Sequence, residues 1–179
     1  GDARDRAPRG DCVMLKRLAR LRVPLGFVFF GVAYWLALPS LNSLALGAGV
    51  AAIGQSLRIW AAGHIEKGRE VTRSGPYRHM RHPLYVGSAI MAIGFGIASA
   101  TLWTALLVIT YFAMTYVAAV RTEEATLDDR FNGQYSAYRE GRAPGVQRRF
   151  STRRAITMNR EYRSVAGLAA ALVLLWLRT

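Results

Sequence analysis

Two apolar runs without a charged residue, 84–100 and 102–120, meet at the short sequence IASATLW. Only a tight turn fits between them, so they predict two antiparallel helices. Further apolar runs cover 23–39, 41–63 and 165–177. Because backbone groups in lipid must be satisfied within their own segment, helices are favoured over strands. The runs are also too long for the alternating pattern of a barrel strand. We expect an all-α integral membrane protein with four transmembrane helices. The short run 165–177 is either a fifth span or an interfacial helix.

Composition separates this chain from soluble proteins of similar charge. The 179 residues carry a formal net charge of +13, and 52% of them are hydrophobic. A basic nucleic-acid-binding domain would match the charge but not the long apolar runs. We therefore expect membrane lipids as neighbours, no nucleic acid, and no obligate protein partner. The single cysteine, Cys12, excludes an intrachain disulfide and a Cys-based zinc site, and no metal is predicted. The polar first residues do not look like a cleavable signal peptide.

Lysine and arginine indicate the topology. They concentrate in 1–22, 64–83 and 121–163, whereas the connections 40–42 and 99–101 contain none. Even numbers of spans separate the basic segments, so all three lie on one side, which the positive-inside rule makes cytoplasmic. Three regions follow: a basic cytoplasmic leader at 1–22, a membrane core at 23–140, and a basic segment with the C-terminal apolar helix at 141–179.

Polar clusters flank the predicted helical pair at 70–87 (EVTRSGPYRHMRHPLYVG) and 120–140 (VRTEEATLDDRFNGQYSAYRE). Because the pair turns back on itself, the outer ends of its two helices return to the same place. Residues some forty positions apart are then neighbours. We expect one group to face the other: Arg81, His82 and Tyr85 against Arg121, Glu123 and Glu124.

The first of these clusters has the residue types of an anion site at a helix start. Pro83 suits a first helical turn, whose N–H groups and partial positive charge attract carboxylate or phosphate. Arg81 and His82 add donors. Gly87, one turn on, lets another group approach the backbone.

The remaining polar residues extend this chemistry. Tyr77 and Tyr85 offer ring faces to a sulfonium or an adenine. Glu123 and Glu124 are able to accept from ribose hydroxyls or attract a cation. Arginine, glutamate and tyrosine at helix ends are equally ordinary interfacial anchors. Arg58, inside the second run, either snorkels to the interface or lines the site. The residues alone indicate a membrane protein with a polar pocket at its cytoplasmic face.

The basic stretch QRRFSTRR, 147–154, has two interpretations. The first is a solvated face near anionic lipid headgroups. The second is a specific phosphate site, which this pattern favours less.

Three ordered motifs resemble those of the isoprenylcysteine carboxyl methyltransferase family, whose relatives include phospholipid methyltransferases. The pattern R-H-P-x-Y-x-G is formed by Arg81, His82, Pro83, Tyr85 and Gly87. A preceding V-T-x-x-G-P-Y segment is formed by Val71, Thr72, Gly75, Pro76 and Tyr77. A tail pattern is formed by Glu123, Glu124, Leu127, Phe131, Tyr135 and Tyr138. The similarity covers about 57–138. The sequence departs from the family pattern at two places. Asn132-Gly133 follow Phe131, where the family usually has glycine as the first of these residues, and the apolar run 165–177 is not required by the family core.

The resemblance implies an integral membrane methyltransferase that uses S-adenosylmethionine and acts on a lipophilic acceptor. By analogy, the cofactor pocket would be lined by Val71, Thr72, Tyr77, Arg81, His82, Pro83, Leu84, Tyr85, Gly87 and Glu124. Arg121 would face the methyl acceptor, and Glu123 would help to complete the site. A carboxylate acceptor would need no base, and Arg121 would orient it; an amine would need Glu123 or Glu124 to remove a proton. Two alternatives are an NADPH-dependent reductase of the sterol type and a non-enzymatic protein that binds anionic lipid.

Overall fold

The computed structural model describes residues 25–66, 74–80, 82–130 and 147–179, and for 117–130 it describes the backbone alone. Every regular element within these ranges is helical, which confirms the all-α prediction. The α-helices, α1 to α5 in chain order, cover Leu25–Leu36, Leu41–Ala62, Pro83–Ala98, Leu102–Arg130 and Tyr162–Trp176. A 3-10 turn at Gly75–Arg78 precedes α3, and a π-helical turn at Arg154–Met158 precedes α5.

The turn between α3 and α4 is hydrogen-bonded to the turn between α1 and α2. The amide of Leu38 donates to the Ser99 carbonyl at 2.9 Å and to the Thr101 hydroxyl at 3.2 Å. Ala100 adopts a φ of +52°, an uncommon value for a residue with a Cβ, and reverses the chain within three residues. The predicted tight hairpin is therefore confirmed, and both turns lie at the same end of the bundle.

Antiparallel helices α2 and α3 pack backbone against backbone through glycines. A Cβ atom added to Gly47 would lie 2.4 Å from the Gly94 carbonyl oxygen, and one added to Gly54 would lie 2.6 Å from that of Gly87. These distances are too short for any side chain, so a larger residue would push the helices apart. Small residues allow the same close approach between helices in lipid. This packing fixes the start of α3 against the second half of α2.

Helix α5 runs beside α2 over the height of the bundle. At its start, Glu161 forms an ion pair with Arg58 in the last turns of α2, at 2.9 Å. Near its end, buried Leu175 packs with Ala37 and Ala98 beside the two turns. The C-terminal apolar run therefore lies along the other helices and not across one end of them.

Helix lengths confirm the predicted spans only in part. Among the described helices, α2 with 22 residues is the one long and apolar enough to cross a membrane. The 16 residues of α3 and the 15 of α5 are shorter. At 1.5 Å per residue they reach roughly 24 and 22 Å, against about 30 Å of hydrocarbon. Four complete spans are thus not confirmed, because Pro83 begins α3 and the turn at Ser99 ends it.

Candidate active site

His64 holds the segment that leads to α3 against the end of α2. Its buried imidazole lies against Gly75, which has a φ of +57°; a Cβ on Gly75 would lie 2.6 Å from the imidazole Nδ1. This nitrogen is 2.9 Å from the Trp60 carbonyl oxygen. Because a carbonyl only accepts, Nδ1 carries the hydrogen. Gly75 begins the 3-10 turn that contains the partly buried Tyr77, so the place of this turn depends on His64.

The start of α3 is a corner formed by His82 and Pro83, with His82 as N-cap and buried Pro83 as first residue. The His82 carbonyl accepts from the amides of Tyr85 and Val86, both at 3.1 Å. Pro83 has no N–H to offer. An anion at this corner would therefore find fewer free amide donors in the first turn than the sequence predicts, and would depend more on side chains.

A row of aromatic rings joins this corner to α4. The Tyr85 ring meets the His82 imidazole in a T-shaped contact with centroids 5.9 Å apart. It meets the Tyr116 ring in a second such contact at 5.3 Å. Phe112 stacks on Tyr116 at 5.9 Å. The hairpin thus brings the signature histidine and tyrosine to the middle of α4.

Helix α4 continues past this contact to Arg130. Arg121, Glu123 and Glu124 follow Tyr116 by five to eight residues on that helix. At 1.5 Å per residue they lie roughly 8 to 12 Å further along the axis, on the side where the chain enters α3. Their side chains, like Val71, Thr72 and Arg81, lie outside the described part of the chain. The expected facing of these residues stays a prediction.

Arg58 connects the corner to both α2 and α5. Its guanidinium donates to the Leu84 carbonyl at 3.4 Å, to the Ser88 hydroxyl, and to both carboxylate oxygens of Glu161 at 2.9 and 3.1 Å. The arginine passes the α3 backbone at Gly87, where an added Cβ would lie 2.6 Å from its Cγ. The sequence predicts that another group approaches the backbone at Gly87, and in the structure this group is the Arg58 side chain and backbone of α2. Contact of Gly87 or Leu84 with a cofactor stays a prediction.

The basic stretch 147–154 is divided between two roles. Arg148 pairs with Glu66 at 3.2 Å, and Arg154 donates to the Gly63 carbonyl at 2.8 Å. These two side chains close the end of α2. The exposed arginines of the stretch are Arg149 and Arg153. The expected solvated face is thus formed by part of the stretch only.

An apolar cavity of about 490 Å³ lies between α1, α4 and α5. Small residues of α5 form much of its wall. Its lining comprises Gly26, Phe27, Phe30, Tyr111, Gly167, Ala170, Ala171 and Leu174. Tyr111 precedes Tyr116 by five residues on α4, so the cavity lies about 8 Å along that helix from the aromatic row.

Four residues on which the arguments about this region depend were not predicted from the sequence: His64, Ser88, Tyr116 and Glu161. His64 had a signal, since glycine before proline at 75–76 indicates a special turn and His64 is a polar residue where α2 ends. Glu161 had the weaker signal of an acid beside a basic stretch. Nothing in the sequence distinguishes Ser88 from other serines in helices.

Comparisons with known proteins place these features in a family. The sequence profile of the phospholipid methyltransferase family matches residues 21–134, more than half of the chain. The nickel-cobalt-cadmium resistance protein NccN of Alcaligenes xylosoxydans xylosoxydans is 32% identical over 99 residues, which are 54% of this chain and 45% of that protein. The cobalt-zinc-cadmium resistance protein CzcN of Cupriavidus metallidurans is 34% identical over 125 residues, 64% of this chain and 56% of that protein.

The chain spans about half the length of these curated relatives. No solved structure matches it. The family match includes the 3-10 turn, the His82–Pro83 corner and the whole of α4, and it agrees with the resemblance seen in the motifs. The chain belongs to the phospholipid methyltransferase family.

Proposed function

We propose that this chain transfers a methyl group from S-adenosylmethionine to a lipophilic or amphiphilic acceptor at the cytoplasmic face of a membrane. Membership of a methyltransferase family supports the reaction type. The observation that carries the proposal is the contact between Tyr85 and Tyr116. It joins the signature motif to the helix that bears Arg121, Glu123 and Glu124.

The described side chains suit the proposed cofactor. Tyr77 and Tyr85 are partly buried rings near the same helix start, and His82 adds a polar ring beside Tyr85. Ring faces attract a positively charged sulfonium, and adenine stacks on aromatic rings. Bound S-adenosylmethionine would supply an electrophilic methyl group. Residues proposed from the sequence alone to complete the pocket are Val71, Thr72, Arg81, Pro83, Leu84, Gly87 and Glu124.

The protein's task in such a transfer is alignment and exclusion of water, because the displacement needs no covalent help. Arg121 would orient a carboxylate acceptor through charged hydrogen bonds. Glu123 would take the proton from an amine acceptor. Both residues lie on the part of α4 that extends beyond Tyr116.

The apolar cavity supports a lipophilic acceptor. It is lined by glycine, alanine, leucine and aromatic side chains. If the hydrocarbon chain of the acceptor bound in this cavity, the polar head of the acceptor would be able to reach the aromatic row from the side where Tyr111 lies. The head would then lie where α3 begins.

The placement of tryptophan supports a bundle that spans the membrane. Three exposed tryptophans lie at the end with the two helix turns: Trp35, Trp103 and Trp176. The fourth, Trp60, is exposed near the opposite end, where α2 finishes. Tryptophan is enriched at both membrane interfaces. With the positive-inside rule, the end that carries Trp60 and the corner is the cytoplasmic one.

Incubation of the purified chain with methyl-labelled S-adenosylmethionine and a total membrane lipid extract tests the proposal. We expect a labelled, lipid-extractable product, and thermal stabilisation by S-adenosylhomocysteine. Stabilisation by NADPH in its place would identify a membrane reductase. Stabilisation by neither nucleotide, with no labelled product, would leave a lipid-binding protein and refute the proposal.

A further inference from the structure

Glu161 lies outside the region matched by the family profile, yet it reaches the start of α3 through one arginine. Its side chain is 2% exposed, and both carboxylate oxygens accept from the Arg58 guanidinium. The remaining guanidinium nitrogen donates to the Leu84 carbonyl and the Ser88 hydroxyl. The Ser88 hydroxyl in turn donates to the Leu84 carbonyl at 3.0 Å.

We propose that Glu161 is a positioning residue, which acts through Arg58 to hold the first turn of α3 in the orientation that binds the cofactor. This inference rests on the proposed function. It makes the C-terminal segment part of a site whose other proposed residues all precede residue 135.

Leu84 lies between the corner and the aromatic row. Its neighbours are Pro83 and Tyr85, and Tyr85 contacts both His82 and Tyr116. A rotation or shift of this first turn would therefore move the tyrosine ring relative to α4. Arg58 hydrogen-bonds to this turn from the side of α2 and α5, next to the glycine contact between α2 and α3.

The local geometry is specific to arginine paired with a carboxylate. The fork of the guanidinium binds both oxygens of Glu161, while its other arm reaches α3. Gly87 gives the arginine stem its path against the α3 backbone. A buried ion pair contributes little stability compared with apolar residues of similar size. We therefore attribute the presence of the Arg58–Glu161 pair to the orientation that it gives the first turn of α3.

The C-terminal segment has attachments that do not involve this pair. The Asn159 side chain donates to the carbonyls of Ala62 at 2.7 Å and Ile65 at 3.0 Å. The Ser164 hydroxyl donates to the Gln55 side chain at 2.8 Å. Loss of the Glu161 charge should therefore leave the segment docked on α2.

These contacts provide the variants for a test in the full chain. Glu161→Gln removes the charge. The double variant Arg58→Met/Glu161→Leu replaces the pair by apolar side chains, which should keep or raise the unfolding temperature. Ser164→Ala is the matched control, because it removes a hydrogen bond between α5 and α2 that does not reach α3.

The measurements are calorimetric binding of S-adenosylhomocysteine, the unfolding temperature without ligand, and KM for both substrates. Because a misplacement of about 1 Å is able to cost up to a hundredfold, we expect the Kd of S-adenosylhomocysteine to rise on the order of tenfold to a hundredfold in both Glu161 variants. KM for S-adenosylmethionine should rise with it, KM for the acceptor should stay unchanged, and Ser164→Ala should resemble the wild type.

Two results would overturn the inference and leave the proposed function standing. If the double variant folds and binds S-adenosylhomocysteine with wild-type affinity, the ion pair does not position the first turn of α3. The double variant tests the inference even if Glu161→Gln does not fold. Equal losses in Ser164→Ala would reduce Glu161 to a docking contact. A wild-type chain that does not bind S-adenosylhomocysteine would instead refute the proposed function, and this inference with it.

Discussion

The rings of Tyr85 and Tyr116 meet edge to face, with centroids 5.3 Å apart and planes at 81°. Tyr85 is part of the signature at the start of α3, and Tyr116 lies on α4, beyond the hairpin turn. This contact joins the start of α3 to the middle of α4.

Replacing Tyr116 by leucine should weaken cofactor binding. An aromatic pair contributes about 0.5–1.5 kcal/mol beyond its buried area. Because the contact acts on binding through the population of the binding-competent arrangement, its loss lowers affinity by at most roughly 2- to 12-fold. We expect a loss of that size in calorimetric titration with S-adenosylhomocysteine. Tyr116→Phe keeps the ring and should bind like the wild type. Unchanged binding by Tyr116→Leu would show that the contact does not organise the site.

The hairpin that places the start of α3 beside α4 was predictable because it follows from hydropathy. Two uncharged runs joined by three polar or small residues allow only a hairpin, and a hairpin returns its ends to one place. The length of α4 was not predicted in the same way. The charged residues after Val120 indicate a polar cluster, yet glutamate, alanine, leucine and arginine are good helix formers and the helix continues to Arg130.

Alanine at His82 or at Glu124 should lower cofactor affinity and leave the fold intact. His82 lies at the corner beside Tyr85, and Glu124 lies on the proposed opposite wall. The unfolding temperature without ligand should stay near that of the wild type in both variants. Arg149→Ala, which truncates an exposed arginine outside the proposed pocket, is the control. Normal titration curves for both variants would reject their assignment to the cofactor pocket.

The contacts of the C-terminal segment could not be read from the sequence. Arg58 and Glu161 are 103 positions apart, and hydropathy does not indicate which acid meets which base. The same holds for Asn159, whose amide closes the end of α2. Close helix packing was better predicted, because glycines inside apolar runs indicate it and Gly47, Gly54, Gly87 and Gly94 all lie at the α2–α3 contact.

Gly75→Ala should destabilise the protein. The φ of +57° costs a residue with a Cβ about 1–2 kcal/mol, and the new atom would displace the His64 imidazole at 2.6 Å. We expect a lower unfolding temperature in detergent. In Gly31→Ala and Gly49→Ala the added Cβ meets nothing within 4 Å, and both positions are helical. These controls should be neutral or stabilising by up to about 1 kcal/mol. An unfolding temperature for Gly75→Ala equal to that of the controls would contradict the proposed role of His64.

Gly167→Leu should separate acceptor binding from cofactor binding. Gly167 lines the apolar cavity, and an added Cβ there meets nothing within 4 Å. We therefore expect leucine at this position to extend into the cavity. A change of even one methylene in an apolar pocket shifts kcat/KM by about 10–200-fold. We expect at least such a loss of kcat/KM for the lipophilic acceptor, with unchanged affinity for S-adenosylhomocysteine. Gly31→Leu adds the same side chain in open space outside the cavity lining and should keep full activity. If both leucine variants methylate the acceptor at the wild-type rate, the hydrocarbon chain of the acceptor binds elsewhere. The cavity would then be only a packing defect between α4 and α5. The proposed role of α5 would be limited to positioning the start of α3 through Glu161.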